Sequence, residues 1–170
     1  MLGAEQAVLA ADKIYKKHKT RNANELAELL GITVYECPFV NQKGVYKIIE
    51  RNPYVYIKET LEPQLRNIVL LHEIGHHVLH RKEATILNGF QEINIFDIHK
   101  NKMEYEANVF AAQISLSDAD VLECVMHGYS IVEIAAKMES DVNLVALKVD
   151  ILSKKGYDLR LVESRSDFLR

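Results

Sequence analysis

Residues 65–79 are apolar on almost every helical face, yet they carry His72, Glu73 and His76, and that conflict constrains the fold more than any other feature of the chain. Apolar residues on all sides place a helix inside a domain core, where two imidazoles and a carboxylate are costly to bury unless something satisfies them. Four residues of helix rise roughly 6 Å and return to the same face, so His72 and His76 can converge on one ion. Neutral imidazole nitrogens suit Zn2+, and a catalytic site takes three protein ligands and leaves the fourth position to water. Glu73 projects about 100° around from His72, beside such an ion rather than on it, where its carboxylate can take a proton from bound water. Gly75 sits mid-helix at a cost of about 1 kcal/mol relative to alanine, which implies the close approach of another segment.

Two further histidines follow. His77 points about 100° away from His76 and reads as a structural or surface residue. His80 continues the stripe of His72 and His76 but stands about 12 Å along the axis from His72, too far to share its ion, and reads as a residue that supports the ligands from behind or ends the helix. A third ligand must come from elsewhere. In residues 103–114, Met103, Ala107, Phe110, Ala111 and Ile114 recur at helical spacing and form a core stripe. Glu104 borders that stripe on the side of Asn108, Ala111 and Ser115, whose small or polar side chains leave room for a metal and its waters. Glu106 borders the opposite side. Only one of the two can face the histidine helix, and the geometry favours Glu104. Asn108, one turn later, can hold a ligand histidine in orientation.

The runs His72-Glu73-Ile74-Gly75-His76, with Leu79-His80 after it, and Glu104-Tyr105-Glu106-Ala107-Asn108-Val109-Phe110-Ala111-Ala112 together resemble the ImmA/IrrE family of bacterial and phage metallopeptidases. The resemblance implies a zincin-like fold and a gluzincin-type site, with one Zn2+ on His72, His76 and Glu104 and with Glu73 as general base. It also implies a role in mobile-element or stress regulation, the protein substrate being a helix-turn-helix repressor. The second motif departs from the family's usual Leu-Leu-Met-Pro continuation and reads Ile114-Ser115-Leu116-Ser117. The third histidine of the metzincin pattern is missing after Leu79-His80-Arg81.

The rest of the chain predicts a mostly helical α+β domain with a small antiparallel sheet before the histidine helix. At 170 residues, 48% hydrophobic and 26% charged, it can bury a core as a single domain: N-terminal helices in 1–30, a catalytic core in 31–116 and C-terminal helices in 117–170. Residues 4–18 form an amphipathic helix, and Asn22 or Asn24 caps a short one that Gly31 ends. Residues 32–37 read as a strand, and 45–50 with 54–58 as a hairpin turning at Arg51-Asn52-Pro53. In related zinc peptidases an edge strand beside the metal pairs with extended substrate, a use open to this hairpin. Pro63 suits the first turn of the catalytic helix. Residues 82–101 have weak periodicity, include Asn88-Gly89, and read as a loop near the site opening, with Asp97 and His99 as ordinary surface residues. The oxyanion of peptide hydrolysis needs a donor besides the metal, and Tyr46, Tyr54, Tyr56, Tyr105 and His99 are all chemically able.

Cys37 and Cys124 stand alone, which argues for reduced thiols and against a disulfide framework or a thiolate metal site. There is no apolar run of membrane-spanning length, and Met1-Leu2-Gly3-Ala4-Glu5-Gln6 lacks the start of a secretory signal, so a cytoplasmic protein is expected. A net charge of −3 and a pI near 6.2 oppose a broad nucleic-acid surface. In the last third, Ser130-Ile131-Val132-Glu133 resembles a capping box, Glu139-Ser140-Asp141 breaks that helix, and 142–155 makes another before Gly156. Lys148, Lys154 and Lys155 on the last helix are mixed with Asp141 and Asp150, which favours packing or partner docking over DNA reading. Residues 163–170 are polar and expected to fray. Two function classes result: a zinc endopeptidase acting on a protein partner, or a regulatory protein- or DNA-binding module whose metal site is structural or vestigial.

Overall fold

The structure, a computed structural model, describes residues 2–87, 90–92 and 102–159. The chain divides into two compact units, Met1–Ser115 and Leu116–Arg170. Mostly helical α+β architecture is as expected.

The first unit opens with α1 (Leu2–His18) and α2 (Ala23–Leu29). Asn22 is the cap of α2, its side-chain oxygen accepting from the Glu25 N–H at 3.1 Å. Asn24, the other candidate, instead accepts from Arg66 at 2.8 Å. Gly31 then turns the chain with φ +69°, a left-handed conformation that residues with a side chain seldom adopt.

Four strands follow in the order β1-β3-β2-β4, with β1 Thr33–Cys37, β2 Gly44–Ile49, β3 Asn52–Lys58 and β4 Phe90–Glu92. The sheet is mixed rather than antiparallel throughout. The β2–β3 hairpin inserts β3 between β2 and β1, so β3 runs parallel to β1 and antiparallel to β2. The hairpin turns at Glu50-Arg51, both at positive φ (51° and 71°), not at Arg51-Asn52-Pro53. Two consecutive positive-φ residues match the right-handed strand twist, but this turn lacks the asparagine–glycine pair that announces one. Asn52 and Pro53 consequently belong to β3, paired with Ile49 and Ile48.

Residues 82–101, expected as a loop, contain α4 (Arg81–Leu87) and β4. β4 pairs antiparallel with Gly44–Tyr46 of β2. The strand nearest the histidine helix therefore has neighbours on both sides and is not a free edge there. Asn88, Gly89, Asp97 and His99 lie outside the described residues.

The core forms where α3 (Pro63–Leu79) crosses α5 (Lys102–Ser115). Pro63 stands in the first turn of α3, and every residue from Ile68 to His77 is buried. Leu70, Leu71 and Ile74 from α3 and Phe110 and Ile114 from α5 are fully buried, each contributing about 1.5–3 kcal/mol from the water it leaves. Gly75 marks the crossing: a β-carbon there would lie 3.1 Å from Ala107 Cα and 3.2 Å from the Ala107 carbonyl oxygen. The absent side chain sets how closely the two helices approach.

The second unit contains α6 (Asp118–Met126), α7 (Ile131–Lys137) and α8 (Val142–Lys154). The capping box forms, Ser130 and Glu133 exchanging hydrogen bonds at the start of α7. Glu139 adopts φ +48° after that helix, and Asp141 caps α8 by accepting from Asn143 N–H at 2.7 Å. Lys148 is fully buried and pairs with Asp118, which also receives Lys155 at 2.8 Å. Cys124 is buried and Cys37 half-buried, both as free thiols. Residues 163–170 lie outside the described set.

Candidate metal centre

One turn of α3 separates His72 from His76, and their rings meet edge to face at 4.7 Å and 81°. Both are fully buried. Their Nε2 atoms are 3.0 Å apart, and Glu104 Oε2, from the first turn of α5, lies 3.2 Å from the first and 3.4 Å from the second. Among the described residues this is the group of acidic, histidine or cysteine side chains able to hold an ion. Its spacing can be tested against chemistry. Donors about 2.0–2.1 Å from a tetrahedral ion sit about 3.3 Å from each other, close to the three separations found. The Glu104 side chain keeps 19% of its surface exposed while both imidazoles are sealed, so the cluster has one side toward solvent.

The hydrogen bond behind the His72 ring fixes which of its nitrogens carries the proton. His72 Nδ1 is 2.9 Å from Asn108 Oδ1, an acceptor, so Nδ1 carries the proton and Nε2 presents a lone pair. Burial lowers the pKa of His76 to about 4, outweighing the opposing hydrogen bond and charge of Glu104, and keeps the ring neutral near pH 7. Its Nδ1 lies 3.2 Å from His80 Nδ1. Two imidazole nitrogens and a carboxylate oxygen thus converge within hydrogen-bond distance, an arrangement that a divalent cation satisfies.

Glu73 borders this cluster. It is fully buried, and neither carboxylate oxygen makes a hydrogen bond of normal geometry. Burial drives its pKa well above the ordinary value, the charge of Glu104 adds to the rise, and the Tyr46 backbone N–H opposes it. The space for the carboxylate is provided by Gly44 on β2. A β-carbon at Gly44 would overlap Glu73 Oε1 and come within 2.9 Å of Val69 Cγ1.

The remaining candidates are distributed as follows. Glu106 points away from the three converging donors, its Oε2 lying 2.9 Å from His80 Nε2, so the two glutamates of α5 part company as their helical positions require. His77 is buried rather than on the surface, its Nδ1 3.0 Å from the Tyr46 hydroxyl and the rings edge to face at 5.6 Å. Burial raises Tyr46 to about 12 and lowers His77 to about 4, with Arg81 opposing the first shift and adding to the second, so a neutral phenol and a neutral imidazole share this hydrogen bond. Tyr54 and Tyr56 stack with Tyr35 on the sheet face opposite the buried Pro53, Val55 and Ile57. Gly44, the Tyr46–His77 bond and the His80–Glu106 bond had no counterpart in the sequence reading. Each depends on which elements become neighbours, which no local pattern encodes.

The family described as an IrrE N-terminal-like domain of peptidases matches residues 27–150 of the chain, a span that holds every residue of this cluster. The chain is 32% identical over 149 residues to an uncharacterized immunity region protein 2 of Bacillus phage phi105, covering 87% of this chain and 91% of the relative. It is 28% identical over 127 residues to the metallopeptidase ImmA of Bacillus subtilis (strain 168), covering 72% of each.

Proposed function

The chain belongs to the IrrE N-terminal-like peptidase family, the ImmA/IrrE metallopeptidases, and from that premise we propose that it is a zinc-dependent endopeptidase that cuts a protein partner. The observation that carries this reading is the convergence of His72, His76 and Glu104 beside a buried Glu73 carboxylate that has no other use. A purely structural metal site needs no such base.

His72 and His76 would each hold the metal through Nε2, and Glu104 through Oε2; two imidazoles with one carboxylate and an open position suit zinc. The bound metal would polarise the scissile carbonyl and bring the pKa of its water to about 7. Glu73 would be the base toward that water: its buried carboxylate, with no other hydrogen-bond partner, could hold the proton and pass it to the departing amine nitrogen. Gly44, which has no β-carbon, leaves the space that the carboxylate occupies. Asn108 holds the His72 ring, so no ligand search precedes the reaction. The Tyr46 hydroxyl is held by His77, which leaves the backbone of β2 rather than that phenol as the feature that borders Glu73.

The substrate in this proposal is a helix-turn-helix repressor of a phage, mobile element or stress response, met in the cytoplasm. Support comes from a relative whose name places it in a phage immunity region and from another named a metallopeptidase. No helix among the described residues is long and apolar enough to cross a membrane. The lysines of α8 and its C-cap speak against direct DNA binding, since Lys148 and Lys155 meet Asp118 and Lys154 meets Asp150. The test is to incubate purified protein, chelator-stripped and then zinc-restored, with a phage helix-turn-helix repressor and to follow intact mass. Cleavage that disappears on stripping and returns with zinc is expected. An intact repressor in both states would overturn the proposed substrate.

A further inference from the structure

Glu106 is a nearly buried carboxylate for which the chemistry above has no task. Its side chain is 13% exposed, its Oε2 lies 2.9 Å from His80 Nε2, and its Oε1 lies 3.6 Å from the ammonium of Lys102. The fold makes room for it: a β-carbon at Gly3 of α1 would overlap Oε1. His80 closes α3, with its backbone N–H on the His76 carbonyl at 2.9 Å, and its ring stands 5.3 Å from that of His76 with the two Nδ1 atoms 3.2 Å apart.

With His80 neutral, the protons in this chain have one consistent placement. A carboxylate only accepts, so the hydrogen between Glu106 and His80 sits on His80 Nε2. A neutral His80 then has a lone pair on Nδ1 and can only accept from His76, which puts the His76 proton on Nδ1. His76 Nε2 is left with its lone pair facing His72 and Glu104. Without the carboxylate, His80 is free to carry its proton on Nδ1, where it would donate to His76 Nδ1 and drive the His76 proton onto Nε2, blocking the ligand atom. We propose that Glu106 is a positioning residue that acts through His80 to hold His76 in the tautomer able to bind the metal. It does for His76 what Asn108 does directly for His72. The inference rests on the reading of His76 as a metal ligand.

The experiment measures zinc affinity near neutral pH by competition with a chromophoric chelator, for wild type, Glu106→Leu, His80→Phe and the double variant. Glu106→Leu, which leaves no acceptor for the His80 proton, should weaken zinc binding by about ten- to hundredfold, with the melting temperature of the stripped protein unchanged. In the His80→Phe background the same change should add nothing, because the relay is already broken. Wild-type affinity in Glu106→Leu, or an equal loss in both backgrounds, would overturn the inference while leaving the metal site intact. If Glu106→Leu does not fold, nitrogen-15 spectra of zinc-loaded wild type decide instead. A proton on His80 Nε2 and another on His76 Nδ1 are expected; a proton on His80 Nδ1 would overturn the relay. A wild type that takes up no zinc overturns the metal reading itself and this inference with it.

Discussion

Gly44 of β2 lies so close to Glu73 of α3 that a β-carbon on the first would overlap the carboxylate of the second. A strand and a helix far apart in sequence thereby leave a buried acid just enough room. Replacing Gly44 with alanine should displace the Glu73 carboxylate and press on Val69. Overpacking of this kind costs about 1–3 kcal/mol. The expected result is a large fall in cleavage rate with zinc content unchanged, read by single-turnover kinetics and metal analysis.

Gly75 is set by the approach of α5. Alanine would gain about 1 kcal/mol of helix propensity, but its β-carbon would meet Ala107 backbone atoms, which cannot rotate away. The clash should win, giving net destabilisation of about 1–2 kcal/mol in urea unfolding, together with weaker zinc binding as the helix bearing Glu104 is pushed outward.

Tyr46→Phe separates two roles for that hydroxyl. Removing it leaves the buried His77 Nδ1 without its partner, which should cost about 1–3 kcal/mol of stability. Cleavage by the folded variant should stay within a few-fold of wild type. A loss of about a hundredfold or more would instead make Tyr46 an oxyanion donor.

His77 also gives a pH dependence. Its folded pKa, about 4, lies below the ordinary 6.5, so the unfolded chain takes up the proton first as pH falls. The stability it contributes is fully present above pH 6.5 and is lost as pH drops toward 4. Urea midpoints between those values should fall less steeply in His77→Gln than in wild type.

Asp118 titrates at lower pH. Burial pushes its carboxyl up, but the hydrogen bonds and charges of Lys148 and Lys155 together outweigh burial and hold it below the ordinary value. Its stabilising contribution is present above the unfolded carboxyl pKa and disappears as pH falls through the folded one. Asp118→Asn should remove that acid dependence and strand the buried Lys148 ammonium. Because Asp118 itself is one-third exposed, a loss of about 2 kcal/mol near neutral pH is expected by chemical denaturation.

What could be read from sequence was what helical period and local chemistry decide. His72 and His76 share a face because they are four apart, Glu104 and Glu106 diverge because they are two apart, and the Ser130–Glu133 capping box closes within its own turn. Gly75 implied the close approach of another segment, and that segment is α5. The sheet was less legible. Its parallel β1–β3 pair arises from a hairpin inserting between strands, its turn uses Glu50 and Arg51 rather than residues that favour positive φ, and β4 comes from a stretch with no clear period. Gly44 and Tyr46 matter because β2 lies under α3, a long-range pairing that no window of sequence contains.

The most direct test of the central claim, that three donors hold one metal beside a carboxylate base, is a paired measurement on wild type and Glu73→Gln: zinc per chain and cleavage rate of the same protein substrate. The account predicts one zinc per chain in both and a cleavage rate at least about a thousandfold lower in the variant, since glutamine fills the same space and cannot take a proton. Cleavage at the wild-type rate by Glu73→Gln would contradict it.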